Sequence, residues 1–199
     1  MTQDRLPASP RLDAQLRFLL EADKLKSVVR ATTLADGSRH ENSAEHSWHL
    51  ALFALVLAQD APGVDAIRVI KMLILHDLVE IDAGDAPIFD DIDAAALEAA
   101  EKAAADRLFG LLPADQATEF RALWDEFEAA DTADAKFAKS LDRFQPPLLN
   151  LQSGGGSWTD YNIDEATVRA KVGTKIARGA PELWAWLSPR IAAFFATQH

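Results

Sequence analysis

The chain has no cysteine. That excludes disulfides and thiolate metal sites, and it suits a reducing cytoplasm, the compartment expected here. Long hydrophobic runs are missing as well. No stretch reaches the roughly 18 unbroken apolar residues of a membrane span. The N-terminal MTQDRLPASPRLD lacks the apolar centre of an export signal, so neither membrane insertion nor export is expected. Cations are scarce: 20 Lys and Arg stand against 31 Asp and Glu, a net charge of −11. Such a surface repels phosphate backbones, which argues against duplex nucleic acid as a partner. A small anionic substrate remains open wherever a local cluster of cations, or a metal, receives it.

What is present is enough apolar material for a core, 49% of 199 residues. Length and composition predict a single domain over 1–199, with a core over about 12–150 and C-terminal helices over about 162–198 packed on it. Nearly every segment carries helical signals. Ser9-Pro10 reads as an N-cap and first helical residue, followed by Leu12, Leu16, Leu19 and Leu20 at helical spacing. Helices are expected from Asn42 or Ser43, from Val64 to Ile81 with a stop at Gly84, over the Ala-rich stretch after Pro87, and from Pro113 to near Asp131. Another is expected over AKFAKSLDRFQPPLLN (135–150). QSGGGSWTD reads as a loop, and Pro181 and Ser188-Pro189 read as later helix starts. No segment reads as a strand, so the expected fold is an all-α multi-helix bundle. Trp184, Trp186, Phe194 and Phe195 form an aromatic surface that either packs within the chain or pairs two copies as a homodimer.

The stretch ILHDLVEIDAGD (74–85) poses the functional question. A helix that begins with core residues ends in His76, Asp77, Glu80, Asp82 and Asp85, and carboxylates are costly to bury without a compensating cation. His76 and Glu80 share one helical face, and Asp77 lies about 100° round. Tracing the Asp77 face backwards gives Ile67, Ile70 and Ile74, and tracing the His76 face gives Val69 and Leu73, so both faces are expected to be buried. His46 shares a stripe with Leu50, Phe53 and Leu57; Asp142 shares one with Ala138, Gln145 and Leu149. Two imidazoles and two carboxylates converging from separate helices suit one divalent cation, Mn²⁺, Co²⁺, Fe²⁺, Ni²⁺ or Zn²⁺ by ligand type. A water activated there could attack phosphorus, with Glu80 one turn on to handle a proton. Each residue alone has a plainer reading, a packed histidine or an ion-paired aspartate; the set together favours a metal.

EHSWH (45–49), HDLVE (76–80) and AKFAKSLD (135–142) together resemble the HD-domain metal-dependent phosphohydrolases. ENSAEHS (41–47) and HDLVEIDAGD (76–85) resemble the 5'-deoxynucleotidase branch in particular. The resemblance implies that His46, His76, Asp77 and Asp142 hold one metal and that Glu80 is the general acid/base. It further implies that Asp85 faces the 3' position of the sugar and that Arg30 clamps the phosphate; Arg39 or Lys24, in the same basic stretch, is expected to help neutralise it. Ala31 departs from the pattern, since that branch often has an aromatic residue there beside the sugar. Downstream of His76 the only histidine is His199, so a second metal is not expected. The implied substrate is a small phosphoester, a nucleoside 5'-monophosphate before others. Two competing readings are another phosphoester and a metal or nucleotide module without turnover. The acidic loop Asp82–Asp91 is expected to close over the nucleoside.

Overall fold

The computed structural model describes residues 9–89 and 93–198, and these are helical almost throughout. The first helix, α1 (Pro10–Ala22), starts where Ser9 predicts, with its hydroxyl accepting from the Leu12 amide. Its buried residue is Phe18, however, while Leu12, Leu16, Leu19 and Leu20 all stay exposed. A short helical turn leads to the only strands among the described residues. Strands β1 (Val29–Thr33) and β2 (His40–Asn42) pair antiparallel around a turn with Gly37 at φ 72°. The sequence reading expected no strand. β-Branched Val29, Thr32 and Thr33 favour extended backbone, but five and three residues are too few for an alternating pattern to emerge.

Asn42 then caps α2 (Ser43–Leu57) through a reciprocal box. Its side chain accepts from the Glu45 amide at 3.0 Å, and the Glu45 carboxylate accepts from the Asn42 amide at 3.1 Å. This fixes the start of the helix one turn before His46. Asp65 caps α3 (Ala66–Leu75), which packs along α2. The helix expected to run on to Ile81 instead tightens into a 3-10 turn over His76–Val79, then resumes as α4 (Glu80–Ala83) and stops at Gly84. The tightening corrects the facial expectation. Ile67 and Ile74 are 62% and 50% exposed, yet Asp77 is buried, because about 120° per residue replaces about 100° and turns Asp77 inward.

Asp93 caps the Ala-rich α5 (Ala94–Phe109), which is followed by α6 (Ala114–Ala129) and α7 (Ala133–Gln152). The long α7 carries Pro146 and Pro147 inside it, so the carbonyls of Asp142 and Arg143 lack an amide partner one turn on. Beyond three glycines with positive φ, 154–156, the loop expected over QSGGGSWTD already winds into α8 (Ser157–Asp160). Next come α9 (Glu165–Val168), a π-turn over Arg169–Gly173, α10 (Thr174–Gly179) and α11 (Pro181–Ala196). Pro181 opens α11, whereas Ser188-Pro189 lies in its middle and starts nothing. There Arg169 holds Ser188, donating to its hydroxyl at 2.6 Å and to its carbonyl at 2.9 Å.

Two apolar clusters build the interior. One gathers Leu50, Met72, Leu73, Phe109, Phe127 and Leu141; the other gathers Phe144, Trp158, Val168, Ile176, Leu187 and Ile191. Phe53 and Leu183 pack against both. Each fully buried side chain of this kind stabilises the fold by roughly 1.5–3 kcal/mol. Phe194 and Phe195 pack on Trp158, with ring centroids 5.5 and 5.4 Å away, so these C-terminal aromatics serve the core; Trp186 remains 42% exposed. Along α7, Leu141 belongs to one cluster and Phe144 to the other, and Asp142 stands between them. No helix of the described residues is long and apolar enough to cross a membrane.

Candidate metal centre

His46, His76 and Asp77 are all buried and offer ligand atoms within 4.8 Å of one another. Asp142 joins them from α7, its Oδ1 3.2 Å from His46 Nε2 and 3.8 Å from His76 Nε2. Both imidazoles are oriented from behind. His76 Nδ1 donates to the Leu73 carbonyl at 2.8 Å, and Trp124 Nε1 donates to the His76 carbonyl at 3.2 Å. His46 Nδ1 faces Gln145 Oε1 at 3.2 Å and Glu41 Oε1 at 3.3 Å, both acceptors. Each ring therefore carries its proton on Nδ1 and presents the lone pair of Nε2 to the centre.

There the lone pairs meet oxygen. His76 Nε2 is buried without a hydrogen-bond partner although Asp77 Oδ1 is 2.9 Å away, and His46 Nε2 confronts Asp142 Oδ1. Imidazole lone pairs aimed at carboxylates in a buried site require a cation between them. The four residues thus fit a divalent metal by chemistry as well as by position. Without metal, a proton substitutes in part: burial and Arg30 oppose charging of His46, but its hydrogen bonds to Asp142 and Glu41 prevail and raise its pKa. Burial likewise works against the carboxylates of Asp77 and Asp142. The charges of His76 and Arg30 nevertheless hold Asp77 below the usual range, and Arg143 with His46 holds Asp142 well below it.

Glu80 lies beside this cluster and is half-buried. Ser43, fully buried at the start of α2, donates to its Oε2 at 2.5 Å. Burial, then the neighbouring charge of Asp77, pushes the Glu80 carboxyl up to about 9, so near neutral pH it keeps a proton. Arg30 reaches in from β1. Its Nη1 donates to Asp77 Oδ2 at 3.0 Å and lies 3.6 Å from both Glu80 and Asp85, and its Nε is 3.4 Å from Glu41. Asp85, just past Gly84, has its pKa raised by burial against the opposing charge of Arg30. Of the acids in ILHDLVEIDAGD, only Asp82 turns away, into an ion pair with Arg107.

Of these groups Arg30, His76, Asp77, Glu80, Asp85 and Asp142 border a cavity of about 280 Å³, and Ala31 borders it too. The described part of the acidic loop contributes Pro87, Ile88 and Phe89; residues 90 and 91 of that loop lie outside the described residues, as does His199. Lys24 and Arg39 do not border the cavity. They are paired on the surface with Glu21 and Glu45. The residues that sequence reasoning missed are Glu41 and Gln145, which orient His46 and each other, and Arg143 and Lys139, which border the cavity from α7. Glu41 did carry a signal, being an acid inside the quoted ENSAEHS, but its contact with Gln145, 104 residues away, shows only in the fold. His49 touches Gln145 at 3.3 Å rather than the cluster itself.

Comparison with known proteins points to one family. A family model described as an HD domain matches residues 22–184. The Homo sapiens protein named 5'-deoxynucleotidase HDDC2 is 32% identical over 190 residues, which span 92% of this chain and 91% of that protein. A 5'-deoxynucleotidase of Enterobacter is 30% identical over 73% of this chain and 78% of its own length. Among solved structures, a protein of Magnetospirillum magnetotacticum described as a predicted metal-dependent phosphohydrolase superposes with a TM-score of 0.89 at 47% identity, covering 96% of this chain and 98% of that one.

Proposed function

Because the chain belongs to the HD-domain family, we propose that it is a metal-dependent phosphohydrolase that releases phosphate from nucleoside 5'-monophosphates, deoxyribonucleotides included. The observation that carries the reading is the pair of buried imidazole nitrogens, on His46 and His76, that meet carboxylates beside Glu80 at the edge of a cavity. A module without turnover would have no use for that fifth group. The names of the relatives in Homo sapiens and Enterobacter supply the substrate class.

His46, His76, Asp77 and Asp142 would hold the metal, with Mn²⁺, Co²⁺, Fe²⁺, Ni²⁺ and Zn²⁺ all compatible with these ligands. When bound, such an ion supplies Lewis-acid polarisation and lowers the pKa of a water molecule. Glu80 is the general acid. Ser43 fixes its Oε2, which leaves the proton on Oε1 to pass to the departing 5' oxygen. Arg30 holds Asp77, Glu80 and Asp85 at fixed separations and presents positive charge to the phosphate from the β1 side. Asp85 accepts from the sugar hydroxyl at the 3' position. Ala31 leaves room over the sugar that an aromatic ring would otherwise fill, so discrimination between ribose and deoxyribose should be weak.

The test is phosphate release from a panel of ribo- and deoxyribonucleoside monophosphates, after chelation and with single metals restored. Release only with metal, and from 5'- rather than 3'-monophosphates, is the expected result. Folded protein that releases phosphate from none of them with any metal would overturn the assignment.

A further inference from the structure

The α7 side of the cavity carries groups that, Asp142 apart, the reaction above does not use. Lys139, Asp142, Arg143 and Pro146 follow one another at helical spacing on α7, and all four border the cavity. The two cations here differ in how far they are satisfied. Lys139 is held by both Glu128 oxygens, at 2.9 and 3.0 Å, and sits 4.0 Å over the Phe127 ring. Arg143 has a buried Nε with no hydrogen-bond partner, and its nearest carboxylate is Asp142 Oδ2 at 3.4 Å. The other oxygen of Asp142 faces His46 and His76. Arg30, by contrast, is shared among four acidic side chains, Glu41, Asp77, Glu80 and Asp85. The chain carries a net charge of −11, yet positive charge gathers beside Arg143. Lys175 on α10 feels this charge: burial, then Arg143 and Lys139, lower its pKa against the opposing charge of Asp142, while Glu101 and Glu128 are the further acids that border the cavity.

We propose that Arg143 is a substrate-binding residue that grips the phosphate from the α7 side, with Lys139 and Lys175 raising the local positive potential. This rests on the phosphohydrolase reading, since it places the phosphate beside Asp142. With its Nε buried beside Asp142, the planar guanidinium has its outer N–H groups left to match two oxygens of a phosphate at once, which an ammonium cannot do. Arg143 then sets how tightly substrate and product phosphate bind, and Glu80 sets the chemical step.

The experiment is calorimetric binding of inorganic phosphate to metal-loaded wild-type protein and to Arg143→Gln and Arg143→Lys, alongside melting curves and metal content. The expected result is at least a tenfold loss of phosphate affinity in Arg143→Gln and partial recovery in Arg143→Lys, with metal content unchanged. On nucleotide substrates, KM should rise in Arg143→Gln far more than kcat falls. Phosphate affinity that is equal in Arg143→Gln and wild type, or no phosphate binding by the wild type, overturns the proposal. Should phosphate binding depend on Arg143 while no nucleotide is hydrolysed, the phosphate site stands and the nucleotidase reading falls. Should Arg143→Gln fail to fold, Arg143→Lys alone decides, because loss of the fork with the charge kept must still weaken binding.

Discussion

At the scale of single residues, chemistry and stability oppose each other at Glu80. A carboxyl buried beside Asp77 keeps its proton up to about pH 9, whereas the same group in an unfolded chain releases it near 4.5. Across that window the folded state binds the extra proton, so stability falls as pH rises. The contribution is complete below about pH 4.5 and lost as pH passes through about 9. Glu80→Gln removes this ionisation. In the presence of chelator, the melting temperature of the variant should decline less between pH 5 and 9 than that of the wild type, and equal slopes would sink the idea. In the metal-loaded enzyme the same substitution should retain the ion and lower kcat by about 10²–10⁴-fold, the usual range for a lost general acid. His46, His76, Asp77, Asp142 and Glu80 were legible in the sequence as polar residues set among apolar ones and within the quoted motifs, although spacing misjudged the stripe behind Asp77, whose Ile67 and Ile74 are exposed. Gln145 and Arg143 were not. Their neighbours come from elements far away in sequence, and an arginine on a helix looks alike whether it faces solvent or a cavity.

At the scale of elements, the segment from His76 to Asp85 depends on two local devices, the 3-10 turn that brings Asp77 inside and the glycine that ends α4. Gly84 has φ 79° and ψ 158°, a region that residues with a Cβ avoid, although nothing stands within 4 Å of where a Cβ would be. Gly84→Ala should therefore cost roughly 1–3 kcal/mol through backbone strain alone. Because Asp85 comes next, it should also raise KM while metal content stays unchanged. Denaturant unfolding with a metal assay checks this, and a variant as stable as wild type would contradict it. The sequence announced Gly84 as a stop, but not the change of helical pitch before it, because no residue type marks a 3-10 turn. The same limit explains the β1–β2 pair, too short to show a period of two. Ser188-Pro189 misled for a different reason: the signal of a helix start is local, and Arg169, 19 residues earlier, engages Ser188 within α11.

At the scale of the whole molecule, the two apolar clusters meet along α7, and Asp142 emerges at their junction toward His46 on α2 and His76 beyond α3. The site thus joins parts of the chain that share no local sequence, and metal binding should tie them together. Any ligand that binds only the folded form stabilises it by mass action, so the melting temperature should rise with metal concentration. Helix content and order were plain from composition and caps. How the helices pack was not, since exposed leucines on α1 and exposed isoleucines on α3 carry the same spacing as buried ones. The most direct test is metal content per chain, measured after loading and gel filtration, for the wild type and Asp77→Asn. About one divalent ion per wild-type chain, lost in Asp77→Asn together with the metal-dependent rise in melting temperature, is the predicted result. An ion retained undiminished in Asp77→Asn would contradict the account.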